Sequence, residues 1–204
     1  MQCLMECCNP VKTETYVAAS DAYNLAYFKI PKCGSSTIMT LMEENIEDTE
    51  FYRGSHIVPF YINLFTTCRN PFRRAVSNWL FFKHDKLFND YKLARYHDRH
   101  NITFEDWVRM ALQGVFWNHH WEPAVNFVSK RTKFFKLEDI QKDPTALLEF
   151  MGLSPSLQLP HERKAKEDLK LKDVYTPVTE SLVAKAYMKD FERFGYSLSL
   201  EDAE

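Results

Sequence analysis

The sequence predicts an α/β domain in three layers, a mainly parallel central sheet flanked by helices. Short apolar, aromatic-rich runs at Asn24-Leu-Ala-Tyr-Phe-Lys-Ile30, Tyr61-Ile-Asn-Leu-Phe-Thr-Thr-Cys68 and Thr132-Lys-Phe-Phe-Lys-Leu137 have the length and composition of buried strands. Each is followed closely by a helix start. Strands alternating with helices over short connections join into a mainly parallel sheet through crossovers. Ligands of such sheets bind at the carboxyl ends of the strands, which directs attention to residues 31–37 and to Arg69.

In chain order, residues 1–20 read as a polar N-terminal lead-in, 21–197 as the working domain and 198–204 as a C-terminal tail. The first strand stops at Pro31. Ser35 or Ser36 can cap the helix that follows, and Ile38, Leu41, Met42 and Asn45 then share one face at spacings of three and four. Residues 51–56 leave a strand end and a loop both open. The second strand runs into Arg69, with Asn70 as a helix cap and Pro71 at the first helical position. Residues 83–100 are charged and show no clear pattern. Thr103 with Asp106 forms a variant capping box ahead of a helix through Trp107, Val108, Met110 and Ala111. After the third strand, Asp143-Pro144 starts a helix that Gly152 ends. Val183, Ala186, Tyr187, Phe191 and Phe194 make a final helical stripe closed by Gly195.

Composition bounds the function. The 204 residues are 45% hydrophobic and 26% charged, an ordinary globular balance that excludes disordered, collagenous and coiled-coil readings. At this length folding buries roughly 70% of the unfolded chain's surface, so neither disulfides nor a structural metal is needed. A net charge of -2 supplies no overall basic field, so nucleic acid is not an expected partner and any anion site must be local. Cys3, Cys7, Cys8, Cys33 and Cys68 are odd in number and lack CxxC spacing, which predicts reduced thiols. His97 and His100 have no ligand set at familiar spacing beside them, so no metal is expected. No apolar run approaches the roughly 18 residues of a membrane span, and no signal peptide is expected. Asn101-Ile-Thr103 fits a glycosylation sequon, a triplet that arises often by chance.

Pro31-Lys-Cys-Gly-Ser-Ser-Thr37 places a cation, a flexible Gly34 and three hydroxyls between a strand and a helix start. The first N–H groups of a helix lack internal partners and its dipole is positive there, so a phosphate or sulfate gains several hydrogen bonds. A small polar turn without a ligand is the alternative. The Walker pattern is absent, because Lys32 opens the turn and there is a single Gly. Arg69-Asn-Pro-Phe-Arg-Arg-Ala-Val-Ser77 adds a second anion-binding candidate, with Ser77 two helical turns on, near the face of Asn70, Arg73 and Arg74. Taken alone it reads equally as a solvated basic helix start; two such elements after two strands of one sheet are far less common.

Ile30 to Thr37 resembles the loop that binds the 5′-phosphosulfate in sulfotransferases using 3′-phosphoadenosine 5′-phosphosulfate (PAPS), and Cys68 to Ser77 resembles their 3′-phosphate motif. The similarity is to the Golgi carbohydrate branch, the chondroitin, dermatan and uronyl/heparan 2-O enzymes. Asn118-His-His-Trp-Glu-Pro123, Phe135-Lys-Leu-Glu-Asp-Ile140 and Asp190-Phe-Glu-Arg-Phe-Gly-Tyr196 have counterparts there. The resemblance implies a P-loop-like domain in which Lys32 meets the donor's bridging oxygen. Cys33, Gly34, Ser35, Ser36 and Thr37 would line the 5′-phosphate, and Arg69 and Ser77 would bind the 3′-phosphate. It also implies His56 as the base that activates the acceptor hydroxyl, with Glu43, Glu44, His119 and His120 in reserve; a structural histidine is the other reading of His56. His161-Glu-Arg-Lys-Ala165 departs from the branch, which carries an Asn-containing donor segment there.

The implied activity is direct in-line transfer of a sulfuryl group from PAPS to a hydroxyl on a carbohydrate, with no metal. The transferred group carries less charge than a phosphoryl group, and positioning and charge stabilisation provide most of the catalysis. His119, His120 and Trp121, with Phe116 and Trp117, suggest a wall on which a sugar could stack, although aromatics at this density also read as core. Two alternatives stay open: an acceptor that is a small alcohol, phenol or peptide tyrosine, and an inactive nucleotide-binding module of the same fold. Read alone the chain points to the cytoplasm; an apolar span encoded upstream would place it in the Golgi lumen. Nothing in the pattern assigns an oligomeric state.

Overall fold

The computed structural model describes residues 15–53, 63–84, 101–112, 114, 118–160 and 169–203. The strands are β1 Tyr16–Ser20, β2 Leu25–Phe28, β3 Glu50–Arg53, β4 Asn63–Cys68 and β5 Lys133–Lys136. The helices are α1 Ser35–Asn45, α2 Pro71–His84, α3 Phe104–Leu112, α4 Leu137–Ile140, α5 Thr145–Phe150, α6 Leu171–Val174, α7 Pro177–Ala186 and α8 Met188–Phe194. The chain divides into two compact units, residues 1–69 with 122–164 and residues 70–121 with 165–204.

The first unit holds the sheet, in the order β3-β1-β2-β4-β5. β4 pairs in parallel with β2 and with β5, whereas β1 runs antiparallel to β2 and to β3. The sheet is therefore mixed rather than mainly parallel. The reason lies in the connection from β1 to β2: residues 21–24 can turn a hairpin but cannot make the crossover of a dozen or more residues that a parallel pair requires. β1 itself lies in the stretch that reads as lead-in. Its small Ala18 and Ala19 carry a weak strand signal, and it earns its place by pairing on both edges, with Val17 and Ala18 buried. Asp48 fastens the hairpin turn, accepting from the Ser20 hydroxyl at 2.6 Å and the Ala22 amide at 2.8 Å. Those two bonds hold its carboxyl below the usual pKa.

Leu25, Tyr27 and Phe65 from the sheet pack with Ile38, Leu41 and Met42 of α1 and with Leu147 and Leu148 of α5. The expected apolar face of α1 is thus the buried one. Its cap differs: Gly34, not Ser35 or Ser36, is the N-cap, and no side chain bonds the first turn. Asp143 accepts from the Thr145 amide at 2.9 Å to open α5, and Gly152 follows its end at φ 72°, both as the turn chemistry predicts. Leu137, expected as the end of the third strand, instead begins α4.

The second unit is helical among its described residues. Phe72, Trp79 and Phe82 of α2, Phe104 and Trp107 of α3, Trp121, Val183 and Phe191 form one buried cluster. Inside it Arg74 pairs with Asp190 at 3.6 Å, with both side chains at most 2% exposed. Arg74 also donates to the His120 carbonyl at 3.0 Å and lies over the Tyr187 ring. The hydroxyls of Tyr187 and Tyr175 donate to the carbonyls of Trp121 and Phe72 at 2.7 and 2.9 Å. The final apolar stripe, expected as one helix, is two: the chain leaves helical geometry at Tyr187 (φ -109°, ψ 20°) between α7 and α8, and Gly195 closes α8 at φ 63°. The tail folds as well, since Arg73 Nε donates to the carbonyl of Ala203 in a 3-10 turn over Glu201–Ala203. Thr103 and Asp106 cap α3 as expected, with Asp106 N to Thr103 Oγ1 at 3.1 Å.

Two outcomes follow from this burial. Asp190→Ala leaves the Arg74 charge uncompensated in the core and is expected to cost about 3–5 kcal/mol, read from denaturant unfolding. Burial also pushes the phenols of Tyr27, Tyr175 and Tyr187 above their ordinary pKa of 10.0. The unfolded chain ionises these groups near the ordinary value while the folded chain does not, so their contribution is complete below pH 10 and is lost as pH rises above it. The unfolding midpoint is expected to hold through pH 9 and to fall above pH 10, less steeply in Tyr187→Phe.

Candidate functional site

β2 and β4 are parallel neighbours, with Tyr27 level with Phe65, so the residues that follow each strand leave the same end of the sheet. β5, with Lys136 level with Cys68, delivers Leu137 to that end too. Three carboxyl ends converge there, the location at which sheets of this kind hold their ligands.

The turn after β2 is held in an uncommon shape. Lys32 has φ 66° and Gly34 φ 77°, two left-handed residues flanking the fully buried Cys33. For a side chain such as Lys this region costs of order 1–3 kcal/mol and persists only where the surroundings impose it. Gly34 is required twice over: its backbone is left-handed, and a Cβ would sit 2.6 Å from Leu137 Cδ1. A side chain at position 34 would require the Leu137 side chain to shift, in addition to the backbone strain.

β4 supplies the restraint. Thr67 Oγ1 donates to the Cys33 carbonyl at 2.7 Å and stands 2.8 Å from the Tyr27 hydroxyl. Its neighbour Thr66 donates to the Phe28 carbonyl at 2.7 Å. Arg69 Nη1, just beyond the strand, lies 3.4 Å from the Lys32 carbonyl. Lys32 and Arg69, far apart in sequence, therefore meet, and the first turn of α1 opens beside them. The Lys32 backbone carbonyl, the Arg69 guanidinium and the start of α1 thus lie together at the carboxyl ends of β2 and β4, where unpaired N–H groups of a helix start favour an anion.

The sequence-predicted residues divide accordingly. Lys32, Cys33, Gly34, Ser35, Ser36, Thr37 and Arg69 come together in the first unit; Ser35 is buried, Ser36 exposed, and Lys32, Thr37 and Arg69 half-buried. Ser77 lies half-buried on α2 in the second unit, after a start capped as expected by Asn70, whose side chain accepts from Phe72 N at 2.9 Å. Arg73 and Arg74, on the same helix, are engaged by Ala203 and Asp190. Trp121 is 4% exposed and packs edge-on against Trp107 and Phe82, so it is core rather than a sugar wall. His119 and His120 are half-buried with rings 4.1 Å apart, and His120 Nδ1 is 2.8 Å from Asn118 Oδ1. Glu43 and Glu44 are exposed on α1. His56, Phe116, Trp117, His97, His100 and residues 161–165 lie outside the described residues.

Tyr27, Thr66, Thr67 and Leu137 escaped the sequence reading. A signal was present for the threonines: polar side chains in a strand otherwise apolar need buried partners. Among the described residues no group of three or more His, Cys, Asp or Glu could hold a metal, and no helix is long and apolar enough to cross a membrane.

A family model described as "Sulfotransferase family" matches residues 16–197, nearly the whole chain. Neither a curated protein nor a solved structure matches it. The match begins at β1, the strand that the sequence pattern had left in the lead-in.

Gly34→Ala is expected to lower stability by about 1–2 kcal/mol from the left-handed backbone alone, with the clash added. Thermal unfolding of Gly34→Ala, Leu137→Ala and the double variant is expected to show the pair costing less than the sum, because removing the Leu137 side chain relieves the clash and leaves the strain.

Proposed function

The chain belongs to the sulfotransferase family, and we propose that it takes its sulfuryl group from PAPS and delivers it to a carbohydrate hydroxyl in one in-line step. Membership makes it a transferase of sulfuryl groups acting on a hydroxyl-bearing acceptor; the donor and the carbohydrate are the proposal. The observation that carries it is the meeting of the Arg69 guanidinium with the Lys32 turn at the carboxyl ends of two adjoining parallel strands. One doubly phosphorylated nucleotide needs two cationic grips within its own length, and the bond from Arg69 to the Lys32 turn supports that reading.

In this reading the amides and hydroxyls of Gly34, Ser35, Ser36 and Thr37 hold the 5′-phosphate, beside buried Cys33. Arg69 holds the 3′-phosphate as a planar fork. The acceptor oxygen forms a bond to sulfur as the bond from sulfur to the bridging oxygen breaks, releasing 3′-phosphoadenosine 5′-phosphate. Lys32 offsets the charge that develops on the departing phosphate. His56 takes the acceptor's proton, since an alcohol is a poor nucleophile until that proton is removed. The sulfuryl group's lower charge makes positioning and the Lys32 cation sufficient, so no metal is assigned a role.

Titration calorimetry with 3′-phosphoadenosine 5′-phosphate tests the donor. Lys32→Ala and Arg69→Ala each remove charge-assisted hydrogen bonds worth about 1.5–3 kcal/mol, so affinity is expected to fall roughly 10- to 100-fold. A wild-type protein that shows no binding overturns the donor assignment. Transfer of labelled sulfate from PAPS to a panel of glycans, phenols and tyrosine peptides tests the acceptor: turnover on the phenols or peptides alone replaces the carbohydrate, and donor binding without turnover on any acceptor replaces the enzyme with a binding module.

A further inference from the structure

We infer that Thr67 is a positioning residue for the donor's 5′-phosphate, acting through the Cys33 carbonyl that its hydroxyl holds. The inference rests on the donor reading above and deepens it, since it names the residue that shapes the phosphate-binding turn.

The argument starts from proton bookkeeping. A threonine hydroxyl has one proton, and that of Thr67 goes to the Cys33 carbonyl, which has none to give. The 2.8 Å contact with Tyr27 therefore runs from the phenol to Thr67, and the three groups form a one-way chain: Tyr27 O–H to Thr67 Oγ1–H to the Cys33 carbonyl. Tyr27, Thr67 and Cys33 are all 0% exposed, so no water competes, and bonds in such a chain strengthen one another. Burial also raises the Tyr27 phenol above its ordinary pKa, so the first proton stays in place at neutral pH.

The consequence for the turn follows from peptide geometry. In a trans peptide the carbonyl and the N–H point in opposite directions. Drawing the Cys33 carbonyl toward buried Thr67 turns the Gly34 N–H away from the strand, to the side where the first turn of α1 leaves its own N–H groups unpaired. Cys33 follows Lys32, whose left-handed conformation local preference does not supply, and precedes Gly34, which adopts either hand and so does not fix the peptide by itself. Without the Thr67 hydroxyl the peptide between Cys33 and Gly34 can rotate, and the amide is lost from the cradle. Thr67 touches neither donor nor acceptor; it aims the group that does.

The test compares Thr67→Val, which keeps shape and removes the hydroxyl, with Thr67→Ser, which keeps the hydroxyl. Two probes are titrated into each: 3′-phosphoadenosine 5′-phosphate, and adenosine 3′-monophosphate, which lacks the 5′-phosphate. Thr67→Val is expected to bind the first about tenfold more weakly and the second within about twofold of wild type, with Thr67→Ser restoring both to within about threefold. In the protein loaded with 3′-phosphoadenosine 5′-phosphate, protection of the Gly34 amide from hydrogen exchange is expected to fall in Thr67→Val and not in Thr67→Ser. Equal losses for both probes would reduce Thr67 to a structural residue and overturn the inference, as would no loss at all. Should Thr67→Val fail to fold, Tyr27→Phe carries the test: it removes the first donor, and a loss of about threefold confined to the 5′-phosphorylated probe is expected, whereas unchanged affinity and exchange overturn the inference. Absence of wild-type binding to the bisphosphate removes the donor reading itself, an outcome distinct from wild-type binding that the Thr67 variants share.

Discussion

The candidate site depends on one constraint: a backbone turn in which Lys32 is held in the left-handed region against its own preference, two residues before Gly34, which adopts that region freely. A helix start can attract an anion wherever it lies, but it grips one only if the turn in front of it is fixed before the ligand arrives, because a turn ordered at the moment of binding costs entropy that the contacts must offset. Here the fixing is done from beneath and from the side. Thr67 ties the Cys33 carbonyl from inside the sheet, and Leu137 closes against the bare face of Gly34. Thr67 lies on β4 and Leu137 directly follows β5, two strands that run parallel to β2, so the parallel half of the sheet brings the restraints to the turn they restrain.

The antiparallel half of the sheet serves a different purpose. β1 lies between β2 and β3 and shields one edge of β2, and β2 is buried throughout as a result. A strand so enclosed is a firm base from which to launch a strained turn. The Asp48 clasp on the hairpin, made of two hydrogen bonds to a lowered carboxylate, continues the same logic at the opposite end of β2.

Within Arg69-Asn-Pro-Phe-Arg-Arg, three arginines of one chemical type are put to three uses. Arg69 reaches the Lys32 carbonyl, Arg73 holds the C-terminal turn, and Arg74 sits in the core with Asp190 as partner. A buried pair of this kind adds little net stability compared with apolar packing, but it makes Arg74 intolerant of any arrangement that removes Asp190 or the His120 carbonyl. The cationic run is therefore not a uniform basic patch. Its charge is divided between one residue that meets the Lys32 turn and two that hold the second unit together.

Much of this was readable in advance where cause and effect lie within a few residues. Asn70 capping α2, Thr103 capping α3, and Gly152 and Gly195 closing helices all follow from turn and capping chemistry, which is local, whereas the strand expected to run to Pro31 ends at Phe28. Lys32, Gly34 and Arg69 stood out as an anion-binding set for the same reason: strand, turn and helix start are consecutive. What sequence could not carry were the effects of partners far apart in the chain. The inclusion of β1, the mixed pairing, the break at Tyr187 and the burial of Trp121 depend on which surfaces meet, and so do the hydrogen bond from Thr67 to Cys33 and the fit of Leu137 on Gly34. A polar threonine in a buried strand announces that it needs a partner, but only the folded chain says which carbonyl answers, because hydrogen bonds are set by distance in space and not by position along the backbone.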